Sequence, residues 1–570
     1  MGRDQKEYSV THFSITFLFM FLHMFRICYQ YGNCPDILSD LYPVHSYNQI
    51  KKGVLFMSNT KTSEKKGFLD VFMAAVEKVC DLLPPPTILF CILFLIVAVI
   101  GAVLNVTGVE LLNPATQEYV VAKNFFTKAG LQWFMTNMTT NFSGFGPLAL
   151  VLSMTLAVGF CEEAGLINVF LRVVMKNVPP FLIPYACAAM GMVMNLASDA
   201  AGILVPPLSA IVYIGVGRHP IVGMLCGYAG ANVGYAANPI ISGTDTLIQG
   251  FTNQALEGFL PETFSQYTVE ATCNWFIKIG SFFLCTILVG TIVTKVIEPR
   301  FGKYTGDVEE MEEITERQMK ALKAAGIGLM AVIAMWAISF FTGLTSGPNG
   351  EFVGSPLLKG IICVIFVMFA VPGIVYGKVA GTYPDLMSIH KGMSRQMARM
   401  GSYVAFCFFC GQFQALFSWT NIGAISAIAG ANALEAIGFT GIPMIVAFVF
   451  LVTIVDVFFS SGSAKWAIFA PIFVPMFMLL GYTPAFTQYI YRLGDSAGNM
   501  FGPTGATLWM LLSMAQEKYD KDLTIGKFLS CNMTTAIILE VFWIAFLVIW
   551  MLAGIPVGPG EGIWLAAPIA

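Results

Sequence analysis

Residues 461–503 run Ser461-Gly-Ser463-Ala-Lys465-Trp466-Ala-Ile-Phe-Ala-Pro471-Ile-Phe-Val-Pro475-Met-Phe-Met-Leu-Leu-Gly481-Tyr-Thr-Pro484-Ala-Phe-Thr-Gln-Tyr-Ile-Tyr-Arg492-Leu-Gly494-Asp495-Ser-Ala-Gly498-Asn499-Met-Phe-Gly-Pro503. The backbone-special positions of this stretch occur twice in the chain. Pro471, Pro484 and Pro503 stand 264 residues after Pro207, Pro220 and Pro239, and Gly481, Gly494 and Gly498 stand 264 after Gly217, Gly230 and Gly234. Proline and glycine fix where helices break or approach closely, so two stretches that share six of them in one register are expected to share a backbone path. Their side chains differ. Ser463, Lys465, Trp466, Arg492 and Asp495 align with Asp199, Ala201, Gly202, Tyr228 and Ala231. A repeated scaffold carrying unrepeated chemistry is what a single site shared by two halves requires.

Composition places this scaffold in a membrane. Only 11% of the 570 residues are charged and 56% are hydrophobic, against about 25% charged in soluble chains. That excludes a soluble globule, a disordered tail and a nucleic-acid binder, and a net charge of −3 names no partner other than membrane lipid. Apolar stretches lie near 87–105, 145–165, 179–197, 200–217, 219–238, 274–296, 320–342, 355–377, 401–430, 441–460, 464–481, 484–503 and 530–553. Several are short or broken by Gly and Pro. The connections 297–323, 378–399 and 515–527 carry Lys and Arg, whereas 240–273 and 343–354 carry none. The positive-inside rule puts the first group in the cytoplasm with the N-terminus and the second group outside. Counted this way, 200–217 runs inward and 464–481 outward, so the two copies are inverted. Inverted repeats with interrupted helices are the architecture of secondary transporters, with the site near the midplane.

The first 56 residues hold one apolar run, about Phe13–Phe25, too short to span and lacking a cleavage site, and Met57-Ser-Asn-Thr-Lys opens a short polar leader that makes Met57 the expected start. The expected organisation is a leader over 1–66, a first half over 67–300, linking helices over 301–400 and a second half over 401–570. Of the thirteen cysteines, the one tight pair, Cys407-Phe-Phe-Cys410, sits in an apolar helix without His nearby, and neither a metal nor a disulfide is expected there.

Polar groups inside the apolar stretches are the candidate site. Thr140-Asn141-Phe-Ser-Gly-Phe-Gly-Pro147 and Ser418-Trp-Thr-Asn421-Ile-Gly423 head the two copies. They read either as tips of re-entrant hairpins able to coordinate a cation or a carboxylate, or as loops with helix caps. Asn195-Leu-Ala-Ser-Asp199 and Ser461-Gly-Ser463-Ala-Lys465-Trp466 interrupt helices. An ionisable group deep in a bilayer costs about 2.5 kcal/mol or more, so Asp199 and Asp495 are expected to be cation ligands or proton carriers. Arg492, Asp495 and Asn499 share a helical face. Arg492 is placed either to grip a substrate carboxylate through its planar fork or to pair with Asp495 one turn away. Lys465 either joins this site or snorkels to an interface. Glu162-Glu163 reads as a solvated helix end, and Asp456 and Glu435 stay open. No histidine falls in these clusters, which argues against a histidine relay. The Glu, His and Ser residues form no acid–base or nucleophile set at the interruptions, so an intramembrane enzyme is disfavoured.

Over about Gly67–Gly554 the chain resembles the p-aminobenzoyl-glutamate transporter (AbgT) family. The resemblance rests on Leu82-Leu-Pro-Pro-Pro86, Asn141-Phe-Ser-Gly-Phe145, Asn195-Leu-Ala-Ser-Asp199, Gly217-Arg-His-Pro220, Ser418-Trp-Thr-Asn-Ile-Gly423, Ser463-Ala-Lys-Trp-Ala-Ile-Phe-Ala-Pro-Ile-Phe-Val-Pro-Met-Phe477 and Tyr491-Arg-Leu-Gly-Asp-Ser496. It implies an all-α, inverted-repeat membrane protein with about nine spanning helices, broken helices and two re-entrant hairpins, assembled as a homodimer in the bacterial inner membrane. It also implies ion-coupled transport, of p-aminobenzoyl-glutamate inward in some members and of sulfonamide antimetabolites outward by proton antiport in others, with sodium implicated. The pathway residues it implies are Asp199, Ser463, Trp466, Pro484, Arg492, Asp495 and Pro503. Two features depart from the family pattern. Asp456 stands where an Asn is expected, with Ser460 and Gly462 also differing, and Ala497-Gly-Asn499-Met-Phe-Gly-Pro503 is smaller and richer in Gly. The first bears on ion stoichiometry and the second on substrate.

The mechanism these readings give is alternating access without a cofactor. A proton or sodium ion at Asp199 and Asp495, with Asn141, Asn421 and Asp456 contributing and Asp495, Asp456 and Asn421 as sodium ligands, neutralises buried charge as one part moves. Ser463, Trp466, Pro484, Arg492 and Pro503 hold an aromatic carboxylate. A sodium-coupled dicarboxylate or short-chain acid carrier is the rival within the same architecture.

Overall fold

The computed structural model of the chain describes residues 84–566 apart from 114–116, 177, 198–199, 303, 305, 307–312, 460 and 503–505. The expected leader with its Met57 start, Asp199 and Pro503 therefore lie outside the described residues. Helix α1 (Pro86–Thr107) starts with a proline at its first turn, where the missing N–H costs nothing, and stops at Gly108 in the left-handed region. A hairpin of β1 (Glu110–Asn113) and β2 (Glu118–Val121) follows, with Glu110 opposite Val121. Then come α2 (Lys128–Ser143), α3 (Gly146–Ala164), α4 (Leu166–Lys176), α5 (Ile183–Met194), α6 (Ala200–Gly215), α7 (Pro220–Val233), α8 (Gly243–Phe259) and α9 (Trp275–Ile292). The second part holds α10 (Glu316–Phe341), α11 (Ile361–Ala380), α12 (Leu386–Arg399), α13 (Gly401–Trp419), α14 (Ile422–Ala436), α15 (Ile442–Phe458), α16 (Gly462–Leu479), α17 (Pro484–Gly498), α18 (Ala506–Lys518) and α19 (Ile525–Leu552). Among the described residues the fold is all-α apart from one β-hairpin.

Among the described residues seven helical runs are long and apolar enough to cross a membrane, or eight if α12 and α13, bent by 46°, make one span. Six shorter apolar helices remain, among them α5, α6, α7 and α15. The expected count of about nine spans requires joining these shorter pieces in pairs. The sequence stretches 179–197, 200–217, 219–238 and 441–460 thus correspond to helices of 12–17 residues, roughly 18–26 Å long at 1.5 Å per residue and short of the hydrocarbon thickness of about 30 Å.

The two proline-matched helices lie at the centre. All fifteen residues of α17 are buried, and so are thirteen of the fourteen in α7. Each opens on its repeat proline behind a capping side chain: His219 Nδ1 accepts from Ile221 N, and Thr483 Oγ1 accepts from Phe486 N. Such caps matter because a buried helix end has no water for its free N–H groups. Helix α7 packs on α5 and α6, and α17 packs on α15 and α16. The glycines make these approaches possible. A Cβ at Gly230 would meet Ala188 O at 2.4 Å, and one at Gly494 would meet Val449 O at 2.5 Å. Likewise a Cβ at Gly234 would lie 2.6 Å from that of Asn195, and one at Gly498 would lie 2.4 Å from that of Asp456. Asp456 thus occupies in the second copy the place of Asn195 in the first, with three more residues between it and its glycine.

Around this centre α3 packs against α8, α11 and α12. Glu162 and Glu163 end α3 and bond to Arg399 and Arg395 of α12, at 3.0 and 2.5 Å, so the expected solvated terminus is also a tether between two helices. Cys407 and Cys410 lie in α13 as free thiols.

Candidate functional site: two buried ionic clusters

The first cluster forms where α15 and α16 meet α17. Ser461 caps α16, and the helix then carries Lys465 inward, fully buried. Lys465 Nζ lies 2.8 Å from Asp495 Oδ1 and also contacts the Asp456 carboxylate. Asp495 is bound further by the Tyr491 hydroxyl at 2.8 Å and by Asn499 Nδ2 at 2.9 Å. Gly462 lies so close that an added Cβ would sit 2.9 Å from Asp495 Oδ2. Lys465 is therefore held inside this cluster and does not snorkel.

The second cluster forms about one turn earlier on α17. Arg492 is fully buried, and its Nη1 donates to Asp245 Oδ1 at 2.6 Å. Its Nε donates to Tyr235 O at 2.8 Å, its Nη2 donates to the same oxygen, and the guanidinium lies over the Tyr235 ring, 4.7 Å from the centroid. Lys278 of α9 donates to both oxygens of Asp245, at 2.6 and 2.7 Å. Asp245 also accepts from the Ser242 N–H and hydroxyl in the capping box that begins α8. Arg492 thus pairs with Asp245, and Asp495 pairs with Lys465. The one-turn pair between Arg492 and Asp495 is not formed, because the two side chains leave α17 toward different helices.

Trp466 joins the clusters. Its indole is fully buried, stacks on Tyr491 with ring centroids 4.5 Å apart, and donates from Nε1 to Thr252 Oγ1 at 3.0 Å. Thr252 donates to Gln488, which donates to Asn274. Ser463 lies 3.4 Å from the Ser461 hydroxyl in the first turn of α16, and Pro484 is the buried first residue of α17. With Arg492 at 0% and Asp495 at 2% exposure, this conformation closes both clusters to solvent.

Asn141 and Asn421 lie elsewhere. Asn141 belongs to the continuous apolar run Lys128–Ala164 and donates to Gln412 of α13 at 3.0 Å. Asn421 takes a left-handed backbone (φ 63°) between α13 and α14 and donates to Val121 O of β2 at 2.9 Å. The structure brings neither into contact with Asp495 or Asp456. A small crevice lined by Gln254, Gln414, Ser418 and Pro471 among others borders the second polar segment. Glu435 is exposed at the end of α14. Among the described residues no group of three or more His, Cys, Asp and Glu side chains is arranged to hold a metal ion.

Sequence reasoning missed Asp245, Lys278 and Glu540. Lys278 and Glu540 carried a usable signal: Glu540 is the one charge in the apolar stretch 530–553, and Lys278 stands inside 274–296, whose other charge, Lys295, lies at its end. Asp245 carried little, since it begins a polar run read as an outside connection.

Comparison with known proteins gives the class. The chain is 34% identical over 508 residues to the p-aminobenzoyl-glutamate transport protein of Escherichia coli (strain K12), covering 88% of this chain and 98% of that protein. Its fold matches the YdaH transporter of Alcanivorax borkumensis, whose crystal structure has an unusual topology, with a TM-score of 0.78, 30% identity and coverage of 84% of this chain and 100% of that one. It also matches MtrF of Neisseria gonorrhoeae, of a class of antimetabolite efflux pumps, with a TM-score of 0.79, 33% identity and coverage of 86% and 100%. A helical bundle of apolar spans with these relatives is a multi-pass membrane transporter and not an enzyme. Residues 71–565 match the AbgT putative transporter family model, and the chain belongs to that family.

Proposed function

We propose that this transporter moves p-aminobenzoyl-glutamate or a related aromatic carboxylate across the bacterial inner membrane by ion-coupled alternating access. One observation carries the reading. Around Asp495 two carboxylates face one ammonium, and around Asp245 two cations face one carboxylate. Fully ionised, the first cluster is one negative charge in excess and the second one positive charge in excess. Leaving one charge of a buried cluster unmatched costs on the order of 3–5 kcal/mol. The first cluster therefore favours a proton or sodium ion, with Asp456 and Asp495 as its seat, and the second favours a substrate carboxylate on Arg492. The two occupants neutralise the core together, which lowers the cost of moving it through hydrocarbon and couples one flux to the other.

The matched packing of α5–α7 and α15–α17, set against the Lys and Arg distribution, supports an inverted repeat with the site between the copies. Asp199 is assigned to ion coupling and Pro503 to the substrate wall by their places in the repeat. Trp466 and Tyr491 offer an aromatic surface to a p-aminobenzoyl ring. Helix α10 leaves Ile327, Met330, Ile338 and Phe341 exposed, an apolar face suited to lipid and to a second copy in a homodimer. The E. coli relative favours uptake of the glutamate conjugate. The likeness to MtrF favours a second reading, proton-driven export of sulfonamide antimetabolites that carry the same aromatic amine.

Counterflow in proteoliposomes decides between them. Labelled p-aminobenzoyl-glutamate and a labelled sulfonamide are each offered under separately imposed proton and sodium gradients. The reading expects saturable counterflow of the conjugate and acceleration by one gradient. Counterflow of the sulfonamide alone supports export, and counterflow of neither contradicts both.

A further inference from the structure

Glu540 is a carboxyl in the middle of the apolar helix α19, 4% exposed. The two ionic clusters do not use it. Its hydrogen-bond partner among the described residues is Thr453 of α15, whose Oγ1 lies 2.6 Å from Glu540 Oε1. The same hydroxyl lies 3.0 Å from Val449 O and 3.2 Å from Gly494 O. One hydroxyl carries one hydrogen and here faces three oxygens. With Glu540 ionised, Thr453 satisfies only the carboxylate, and a buried negative charge is left with a single donor, a situation proteins avoid. With Glu540 protonated, the acid donates to Thr453, and the Thr453 hydrogen is free for a backbone carbonyl of α15 or α17. The contact geometry thus matches a neutral acid in this closed conformation.

Among the described residues the surroundings supply no cation to replace that proton. Helices α9, α7 and α17 pack against α19, and Thr453 adds α15. Their titratable side chains are Lys278 and Cys285 on α9, Cys226 and Tyr228 on α7, Tyr489, Tyr491, Arg492 and Asp495 on α17, and Asp456 on α15. Lys278 and Arg492 are committed to Asp245, and Asp495 to Lys465, Tyr491 and Asn499. Tyr228 donates to Asn499 O, and Tyr489 shares its hydroxyl with Ser281 and Trp543. Cys226 points to Pro184 O, and Cys285 is a buried free thiol.

The position links this carboxyl to the coupling machinery. Thr453 is one turn from Asp456 on α15, and Gly494 adjoins Asp495 on α17. Any movement that parts α15 from α17 breaks the site around Glu540 along with the Asp456–Lys465–Asp495 cluster. We propose that Glu540 is a proton-binding site of the transport cycle, holding a proton while α15 and α17 are closed on each other and releasing it to water when they part. This rests on the coupled-transport reading for its role in flux, but the bound proton itself can be tested without substrate.

Two readouts are needed, both on the full chain. In infrared difference spectra of the wild type against Glu540→Gln, the protein should show a protonated-carboxyl C=O stretching band at neutral pH that the variant lacks. In proteoliposomes, Glu540→Gln should keep substrate counterflow but lose acceleration by a proton gradient, its driven rate falling to the undriven one. Absence of the band overturns the proposal, and so does a variant accelerated like the wild type. The infrared readout needs only folded protein, so a variant that folds without transporting still decides the bound proton. Wild-type protein with the band but without counterflow of p-aminobenzoyl-glutamate contradicts the substrate reading and leaves the proton site standing.

Discussion

Arg492 and Tyr228, which stand at matching places 264 residues apart in α17 and α7, each bond to a backbone carbonyl at the end of the other's helix. Arg492 Nε donates to Tyr235 O at 2.8 Å, and the Tyr228 hydroxyl donates to Asn499 O at 3.2 Å. Tyr235 and Asn499 are themselves 264 apart, so one operation exchanges the two helices and the two bonds. Reciprocal contact of this kind is the mark of a two-fold relation. The same exchange holds for α16 packing on α8 and α6 packing on α18. Around this axis the chemistry is one-sided. Asp456, Lys465 and Asp495 have neutral counterparts in Asn195, Ala201 and Ala231, and Asn195 simply donates to Ala231 O at 3.1 Å.

Asp456→Asn should convert the second copy toward the neutral form of the first. Lys465 and Asp495 would then make a one-to-one pair, the protein should stay folded, and fewer cations should move per substrate. The ratio of charge to labelled substrate, measured from reversal potentials in proteoliposomes, checks this; an unchanged ratio counts against a coupling role for Asp456.

Lys278→Met should remove the excess positive charge of the second cluster and leave Asp245 paired with Arg492. The expected result is a normally assembled protein whose apparent affinity for a carboxylate substrate falls roughly tenfold or more, equal to about 1.4 kcal/mol. An esterified substrate should lose much less. Equal losses for acid and ester would show that Lys278 only supports the fold. Asp245→Asn is the harsher change, because it leaves two buried cations unpaired and should cost roughly 3–5 kcal/mol, visible as a fall in the thermal midpoint.

Trp466→Ala removes the partner of Tyr491 in a buried stack and leaves Thr252 without its indole donor. Flux of an aromatic carboxylate should collapse while an aliphatic dicarboxylate, if carried, is spared. Unchanged aromatic flux would favour the dicarboxylate reading.

The C-terminal segment after α19 should loosen with rising pH. It is tied to the ends of α9 and α17 by Ile277 N to Val557 O at 3.1 Å and by Thr483 N and Oγ1 to Ile563 O and Gly562 O at 3.0 and 2.7 Å. Burial, and after it the Glu270 carboxylate, push the Glu561 carboxyl up to about 7. The folded form therefore holds a proton that the unfolded segment gives up above about 4.3. That stabilisation is full below the lower value and is lost as pH rises through about 7. Hydrogen exchange over 555–565, corrected for intrinsic rates, should quicken as pH rises from about 4.3 to about 7 and level off above that, and Glu561→Gln should flatten the change.

Much of this is legible in the sequence. Gly498 and Pro484 announce the repeat because backbone constraints survive when side chains change, and Arg492 and Asp495 stand out because charge is rare in these stretches. Partner choice was not readable. Arg492 and Asp495 are three residues apart and could have paired on their own helix. They turn apart because α8 delivers Asp245 to the one and α16 delivers Lys465 to the other, a fact of tertiary packing. Asn141 and Asn421 show the converse limit. Both amides stand out as polar groups between apolar runs, but nothing in the sequence says that Asn141 ties α2 to α13 or that Asn421 ties the end of α13 to β2. Polar composition does not report which backbone a side chain will meet.

The most direct test is uptake of labelled p-aminobenzoyl-glutamate by proteoliposomes under an imposed ion gradient, comparing the wild type with Asp495→Asn in protein shown to be folded and equally incorporated. The wild type should accumulate substrate above the outside concentration, and Asp495→Asn should only equilibrate it. Accumulation by Asp495→Asn to the wild-type level would contradict the assignment of the Asp456–Lys465–Asp495 cluster as the seat of the coupling ion.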